Sequence, residues 1–317
     1  MNIVRQLGRS PLSTPRLVLG GNVFGWTADR ETSFRILDRF AEAGGMMIDT
    51  ADVYSAWVEG NEGGESETIL GEWIRRRGGK KDVLIATKVG MLAGEGGEKL
   101  APARIAAAAD ASLKRLGVET IDLYYAHQDD PETPIEDVLR AFDTLVRAGK
   151  VRTLGASNFT ADRLKQSLDL SVQLGLARYE VIQPEYHLMA REDVEADLQP
   201  LCLAEDLSIL PYYGLASGFL TGKYRSREDF RQSARGGRME RFWTPRGFAV
   251  LEALDATAAE AAATPAQVAL AWLASQPAVA APIASARTPG QLEELLPAMA
   301  LNLSPDQLHR LDAASRS

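Results

Sequence analysis

The sequence predicts a (β/α)8 barrel with an N-terminal β-hairpin and long loops after the second and seventh strands. Three observations predict it. Eight short apolar runs alternate with segments of helical period from residue 16 to the C-terminus. Polar residues collect at the C-terminal tip of nearly every run, where a barrel gathers its active site. No G-x-G-x-x-G turn follows the first run, which argues against an open dinucleotide-binding sheet.

Taken in order, residues 1–15 read as a hairpin turning at Gly8 to Pro11 and plugging the barrel floor. The strand runs follow at 16–21, 46–50, 82–88, 121–127, 151–157, 179–184, 207–212 and 279–285, each too short for a helix. Between them, apolar residues spaced three and four apart predict helices at 31–43, 66–77, 102–116, 135–148, 161–174, 193–205 and 265–275. Thr133 with Pro134, Thr160, and Thr264 with Pro265 are helix-start signals. Two segments break the pattern: 55–65, and an Arg- and Gly-rich stretch at about 218–247, both placed where lids or specificity loops occur. GEGGE near residue 95 lacks the strand-to-helix grammar of a phosphate loop. No linker divides the chain, so 1–317 is expected to be one domain.

Composition narrows the function. A chain of 317 residues, 45% hydrophobic and 25% charged, has the makeup of an ordinary globular protein. A net charge of -8 argues against a broad nucleic-acid surface, though local donors can still hold an anionic cofactor. The single cysteine, Cys202, excludes an internal disulfide and a cysteine zinc cluster. The N-terminus has no apolar signal core, and no run approaches the roughly 18 apolar residues of a membrane span. The expectation is a soluble cytoplasmic protein with no membrane, nucleic-acid or metal partner.

The tip residues are Asp49, Lys88, His127, Ser157 with Asn158, Gln183, Tyr212 and Ser285. Lys88 ends an apolar run, and a lysine removed from water needs a partner, which Asp49 on the adjacent strand supplies. Tyr54, five residues past Asp49, folds back over the same point. An adjacent ammonium is expected to stabilise its phenolate and lower its pKa, which makes Tyr54 a candidate general acid. His127 then serves as a donor that positions a carbonyl oxygen. The competing reading is a structural Asp/Lys pair beside an incidental Tyr and His.

These residues sit in segments that together resemble the aldo-keto reductase family over essentially the whole chain. The segments are IDTADVYS (48–55), GESETILG (64–71), ATKVG (86–90), SLKRLGVETIDLYYAHQDD (112–130), GKVRTLGASNF (149–159), VIQPEYHL (181–188), LASGFLTGKY (215–224) and PIASARTPGQLEELL (282–296). The resemblance implies a catalytic tetrad of Asp49, Tyr54, Lys88 and His127, working with NADP(H) or, alternatively, NAD(H). It implies reversible reduction of a small carbonyl substrate, with hydride from the nicotinamide and a proton from Tyr54. By the same resemblance Ser157, Asn158 and Gln183 bind the carboxamide, Tyr212 stacks on the nicotinamide ring, and Gly21, Asn22 and Asp49 lie on the cofactor side. Leu215 to Ser217 and Lys223 would wrap the pyrophosphate, and Ser285, Arg287, Gln291 and Glu294 would meet the adenosine end. This chain departs from the pattern at Gly214, where relatives often carry proline, and at Leu295, where an adenine-contacting Asn is common. Ser285 and Gln291 also lack the positive charges that some relatives set against a 2′-phosphate, which leaves Arg287.

Trp26, Trp57, Tyr213 and Trp243 fall in loops after the first, second and seventh strands and suggest, with His127, an aromatic substrate mouth. Scattered loop-packing aromatics are the alternative. His187 and His309 have no partner pattern and read as structural, and Cys202 reads as an inert core residue. Two other functions compete: a nicotinamide sensor resembling potassium-channel β-subunits, and a barrel aldolase or isomerase using Lys88 as a Schiff base. Asp49, which should keep the lysine charged, disfavours the last.

Overall fold

Successive residues of a strand face opposite sides of its sheet, and here that alternation sorts the apolar residues into two sets. Val18, Met47, Ala86, Leu123, Val181 and Leu210 form one buried cluster, while their immediate neighbours Leu19, Ile48, Ile85, Tyr124, Ile182 and Ile209 belong to another. The first set fills the inside of a barrel, and the second packs under the helices outside. The computed structural model describes residues 3–79, 82–232 and 236–316.

Strands β1 (Val4–Gln6) and β2 (Ser13–Pro15) pair antiparallel. The remaining strands are β3 (Val18–Gly20), β4 (Met47–Asp49), β5 (Leu84–Val89), β6 (Ile121–Ala126), β7 (Val151–Ser157), β8 (Tyr179–Gln183), β9 (Ser208–Ile209) and β10 (Ile283–Ala284). They form one parallel eight-stranded sheet in the order β10, β3, β4, β5, β6, β7, β8, β9. Backbone hydrogen bonds close its ends: Ile209 N–H donates to Ala278 (2.8 Å), Ala280 N–H to Ile209 (3.0 Å) and Ile283 N–H to Pro211 (2.9 Å). The expected hairpin is present, and its turn puts Leu7 and Leu12 into the inner cluster. Residues 1 and 2 of the expected 1–15 hairpin lie outside the described residues.

Helices α1 (Arg30–Glu42), α2 (Glu65–Arg76), α3 (Pro102–Leu116), α4 (Ile135–Arg147) and α5 (Ala161–Leu174) each follow a strand, as the period predicts. After β8 comes a π turn, Val194–Leu198, that runs into α6 (Gln199–Ala204). α7 (Pro245–Ala261), α8 (Pro265–Ser275), α9 (Pro289–Leu295) and α10 (Pro305–Ser315) complete the chain. Thr160 caps α5, and Thr264 caps α8 in a reciprocal box with Gln267. The signal at 133–134 acts differently: Pro134 precedes α4, and the Thr133 hydroxyl instead donates to Asp130 (2.6 Å).

The 218–247 stretch is less open than its polar composition suggests. Its described part is built from 3-10 turns, Arg227–Gln232 and Gly236–Phe242, and the N-cap of α7, Thr244, is its last loop residue. Met239 and Phe242 are buried in it, and Phe242 packs on Phe219 and on His187. Residues 233–235 of the expected 224–246 loop lie outside the described residues.

Candidate active site

The inward-facing series continues beyond the apolar core. Two residues past Met47, Ala86, Val181 and Leu210 stand Asp49, Lys88, Gln183 and Tyr212; His127 and Ser285 stand two past the inner residues Tyr125 and Ile283. The same two-residue step takes Val18 to Gly20 and Gly155 to Ser157. Gly155 leaves room for the Tyr125 ring, since a Cβ there would lie 2.4 Å from it. Each strand of the barrel therefore ends in one inward residue at the same rim, and the polar ones come together although far apart in sequence.

At the base of this rim Lys88 is wholly buried, and its ammonium donates to Asp49 Oδ2 (2.6 Å), Thr50 O (2.7 Å) and the Tyr54 hydroxyl (2.9 Å). The Tyr54 hydroxyl donates to Asp49 Oδ2 at 3.2 Å, and Gln183 Nε2 donates to the other carboxylate oxygen at 2.9 Å. Burial pushes the Lys88 ammonium below its ordinary value, while Asp49 opposes the shift. The expectation that Lys88 lowers the Tyr54 pKa is corrected here. Burial, and then the Asp49 carboxylate, hold the phenol well above its ordinary value. Tyr54 thus keeps its proton throughout the neutral range. Burial and then Lys88 hold His127 well below the usual histidine range, so its ring is neutral. Its Nδ1 is buried without a partner, which leaves Nε2 as the nitrogen able to meet a ligand.

Above the tetrad opens a cavity of about 490 Å³ that runs from the aromatic loops across to α9. Asp49, Tyr54 and His127 line it, while Lys88 lies beneath. Ser157, Asn158, Gln183 and Tyr212 line its central part, where the Tyr212 hydroxyl donates to Asn158 Oδ1 (2.8 Å) and Asn158 Nδ2 donates to the His127 carbonyl (2.9 Å). Leu215, Ser217 and Lys223 line the next stretch, and Ser285, Arg287, Gln291 and Glu294 the far end. Asn22 joins that wall by accepting from the Ser285 hydroxyl at 2.7 Å. Gly21 does not line the cavity; its N–H donates to the Asp49 carbonyl at 2.7 Å.

At the mouth Trp26 and Trp57 meet edge to face, with ring centroids 5.6 Å apart, and Tyr213 also lines the cavity, edge-on to Tyr212. Trp243 does not line the cavity; half-buried, it packs between Phe230 and Phe248 of α7, with ring centroids at 5.2 and 4.7 Å. The remaining candidates are placed as follows. His187 is buried against Glu185 (3.2 Å), His309 is exposed on α10, and burial raises the Cys202 thiol to about 12. Several lining residues absent from the sequence reading, Gly20, Val53 and Met91, are small or apolar and carry no polar signature, while Thr27 and Thr221 are polar but lie away from a strand tip.

The sequence model of the family described as "Aldo/keto reductase family" matches residues 16–316. The chain belongs to the aldo/keto reductase family. It is 32% identical to the uncharacterized oxidoreductase YrpG of Bacillus subtilis, over 96% of this chain and 94% of that one. It is 31% identical to the aldo-keto reductase yakc [NADP(+)] of Schizosaccharomyces pombe, over 87% and 80%. It is 32% identical to a chain of the same yeast named as a candidate voltage-gated potassium channel subunit beta, over 97% and 92%. As a member of this family the chain is an oxidoreductase. No helix among the described residues is long and apolar enough to cross a membrane.

One buried group should make the stability of this fold depend on pH. Asp52, fully buried, has its carboxyl raised to about 7, first by burial and then by the nearby Glu67 carboxylate. A raised acid holds its proton longer in the folded state than in the unfolded chain. Its contribution is therefore most favourable below the ordinary aspartate pKa and is lost as pH rises toward about 7. Asp52→Asn should flatten the stability profile over that window. The check is thermal unfolding of both proteins between about pH 4.5 and 8, where the wild type should lose stability relative to the variant as pH rises.

Proposed function

We propose that this chain is an NADP(H)-dependent reductase that interconverts aldehydes or ketones with alcohols, using Tyr54 as proton donor. The observation that carries the reading is the buried contact of Lys88 with both Asp49 and Tyr54 at the base of a cavity of about 490 Å³ lined by the polar strand-tip residues.

The residues present fit the cofactor. Ala216, Ser217 and Gly218 have φ of 49, 58 and 104°, a run of left-handed backbone held in a ligand-lining loop. The buried Ser217 hydroxyl has no protein partner. Both features suit a loop that wraps a pyrophosphate, with Leu215 beside it and Lys223 supplying charge. Ser157, Asn158 and Gln183 would take the carboxamide, Tyr212 would stack on the ring, and Asn22 would meet the cofactor together with Ser285, while Gly21 lies behind the cavity wall. Ser285, Arg287, Gln291 and Glu294 would meet the adenosine end. When bound, the cofactor supplies the hydride for the carbonyl carbon.

The protein's own part is proton delivery and orientation. His127, neutral, donates through Nε2 to the carbonyl oxygen and aligns it with the Tyr54 hydroxyl. As charge develops on that oxygen it becomes a far stronger base than the phenolate, so the proton passes from Tyr54 even though its pKa is raised. The phenolate left behind faces the Lys88 ammonium, 2.9 Å away in the resting state. Trp26, Trp57 and Tyr213 form an apolar mouth suited to aromatic or aliphatic bodies. Lys88 is buried beneath the cavity wall and donates to three acceptors, which speaks against a Schiff base.

The preference for NADP(H) rests on Arg287 and on the relative named for NADP(+). Arg287→Ala should weaken NADPH binding by about 10- to 100-fold and NADH binding by less than about threefold, as loss of one charge-assisted phosphate contact requires. Fluorescence titration of both nucleotides checks this. The function itself is tested by adding aldehydes, ketones and sugars to the NADPH complex and following loss of NADPH absorbance. The relative named for a channel subunit favours one second reading, a nicotinamide sensor. Tight NADPH binding with no turnover on any carbonyl would establish that reading instead.

A further inference from the structure

Outside the cavity, one buried cation touches two of the loops that build the substrate side. Arg104, on α3 and only 6% exposed, donates NH2 to Asp52 Oδ2 (3.1 Å), Nε to the Leu92 carbonyl (3.0 Å) and NH1 to the Glu95 carbonyl (3.3 Å). Asp52 lies two residues before Tyr54, and its N–H donates to the carbonyl of Lys88 at 3.2 Å. Leu92 follows Met91, which lines the cavity. A single guanidinium therefore ties the loop after β4, carrying Tyr54 and Trp57, to the loop after β5, carrying Met91.

The GEGGE segment is shaped around this grip. A Cβ on Gly94 would lie 2.7 Å from Arg104 NH1, and one on Gly96 would lie 2.3 Å from the Ala103 carbonyl. Gly94 and Gly97 exchange backbone hydrogen bonds at 2.9 and 3.0 Å, folding a tight turn of bare backbone over the start of α3. The glycines let the turn close onto the guanidinium. The same two loops also touch at Gly63, where a Cβ would lie 2.8 Å from the Asp52 carbonyl and 2.9 Å from Leu92.

We propose that Arg104 is a positioning residue for carbonyl reduction, fixing the wall that carries Tyr54 and Met91 against the half of the cavity assigned to the cofactor. The inference rests on the reductase reading for its kinetic consequence but not for its structural one. A guanidinium reaches three acceptors in fixed directions, and an ammonium on a flexible stem does not reproduce that fork. None of the cofactor-side residues touches Arg104, so the two halves of the cavity should respond differently to its loss.

The test compares wild type, Arg104→Met and Arg104→Lys by hydrogen exchange and by kinetics on the full chain. In Arg104→Met, amides of 50–58 and 91–97 should exchange at least about tenfold faster, with 210–223 and 283–291 unchanged. Turnover should fall by about 10- to 100-fold with a raised KM for the carbonyl and an NADPH Kd within about twofold of wild type. Arg104→Lys should recover less than half of either effect. Unchanged exchange in those two segments, an equal rise throughout the chain, or full recovery by lysine would each overturn the proposal. If wild type reduces no carbonyl, the reductase reading fails, and the exchange pattern alone still decides whether Arg104 holds the wall.

Discussion

Tyr54→Phe is expected to lower carbonyl turnover by about 10²- to 10⁴-fold, the range for losing a positioned general acid, with NADPH affinity within about twofold of wild type. The variant removes one hydroxyl from a site whose other contacts persist. Lys88 keeps Asp49 at 2.6 Å and the Thr50 carbonyl at 2.7 Å, and Asp49 keeps Gln183 at 2.9 Å. The fold should therefore survive, and the phenyl ring preserves the edge contact to Trp57 at 6.2 Å. Steady-state kinetics beside a nucleotide titration separates chemistry from binding. Turnover within about threefold of wild type would show that another group delivers the proton.

Lys88→Met should be severe in a second way, by combining loss of activity with loss of stability. Asp49 is only 2% exposed, and without the ammonium its carboxylate keeps Gln183 and Tyr54 as donors but no opposite charge. Breaking a buried pair on one side costs about 3–5 kcal/mol, which urea denaturation should record. Adding Asp49→Asn in the same chain should restore most of that stability, since the stranded charge is gone, yet recover no turnover. A single variant as stable as wild type would mean that the pair is not as desolvated as its geometry indicates.

How much of this was legible in the sequence follows from what each residue carries. The barrel was readable because its strands alternate: the two-residue step from inner apolar positions to Asp49, Lys88, His127, Ser157, Gln183, Tyr212 and Ser285 is visible in a string of letters. The eighth position of that rim, Gly20, was not, because it contributes an absence. A Cβ there would lie 2.5 Å from the Ser285 hydroxyl, a constraint that only the folded chain displays. Helix α7 escaped notice because its Ala-rich sequence buries Val250, Leu251, Leu254 and Ala258 without a strongly one-sided pattern.

Other differences arise from proximity that a sequence does not encode. The tyrosine pKa was expected to fall beside an ammonium. The structure raises it, first because burial penalises the phenolate and then because the Asp49 carboxylate faces the same hydroxyl. Trp243 sits in the loop expected to hold a substrate contact but packs on Phe230 and on Phe248 of α7. The Asp52–Arg104 pair joins residues 52 positions apart, neither at a strand tip, and only the packing of α3 against two loops brings it together.

The most direct test of the central claim is a single-turnover experiment, mixing the preformed NADPH complex with an aromatic aldehyde and following the nucleotide signal in wild type and in Tyr54→Phe. The account expects rapid oxidation of bound NADPH in wild type, slowed by at least about a hundredfold in the variant. Equal rates in the two proteins, or no oxidation in wild type with any carbonyl despite tight binding, would contradict it.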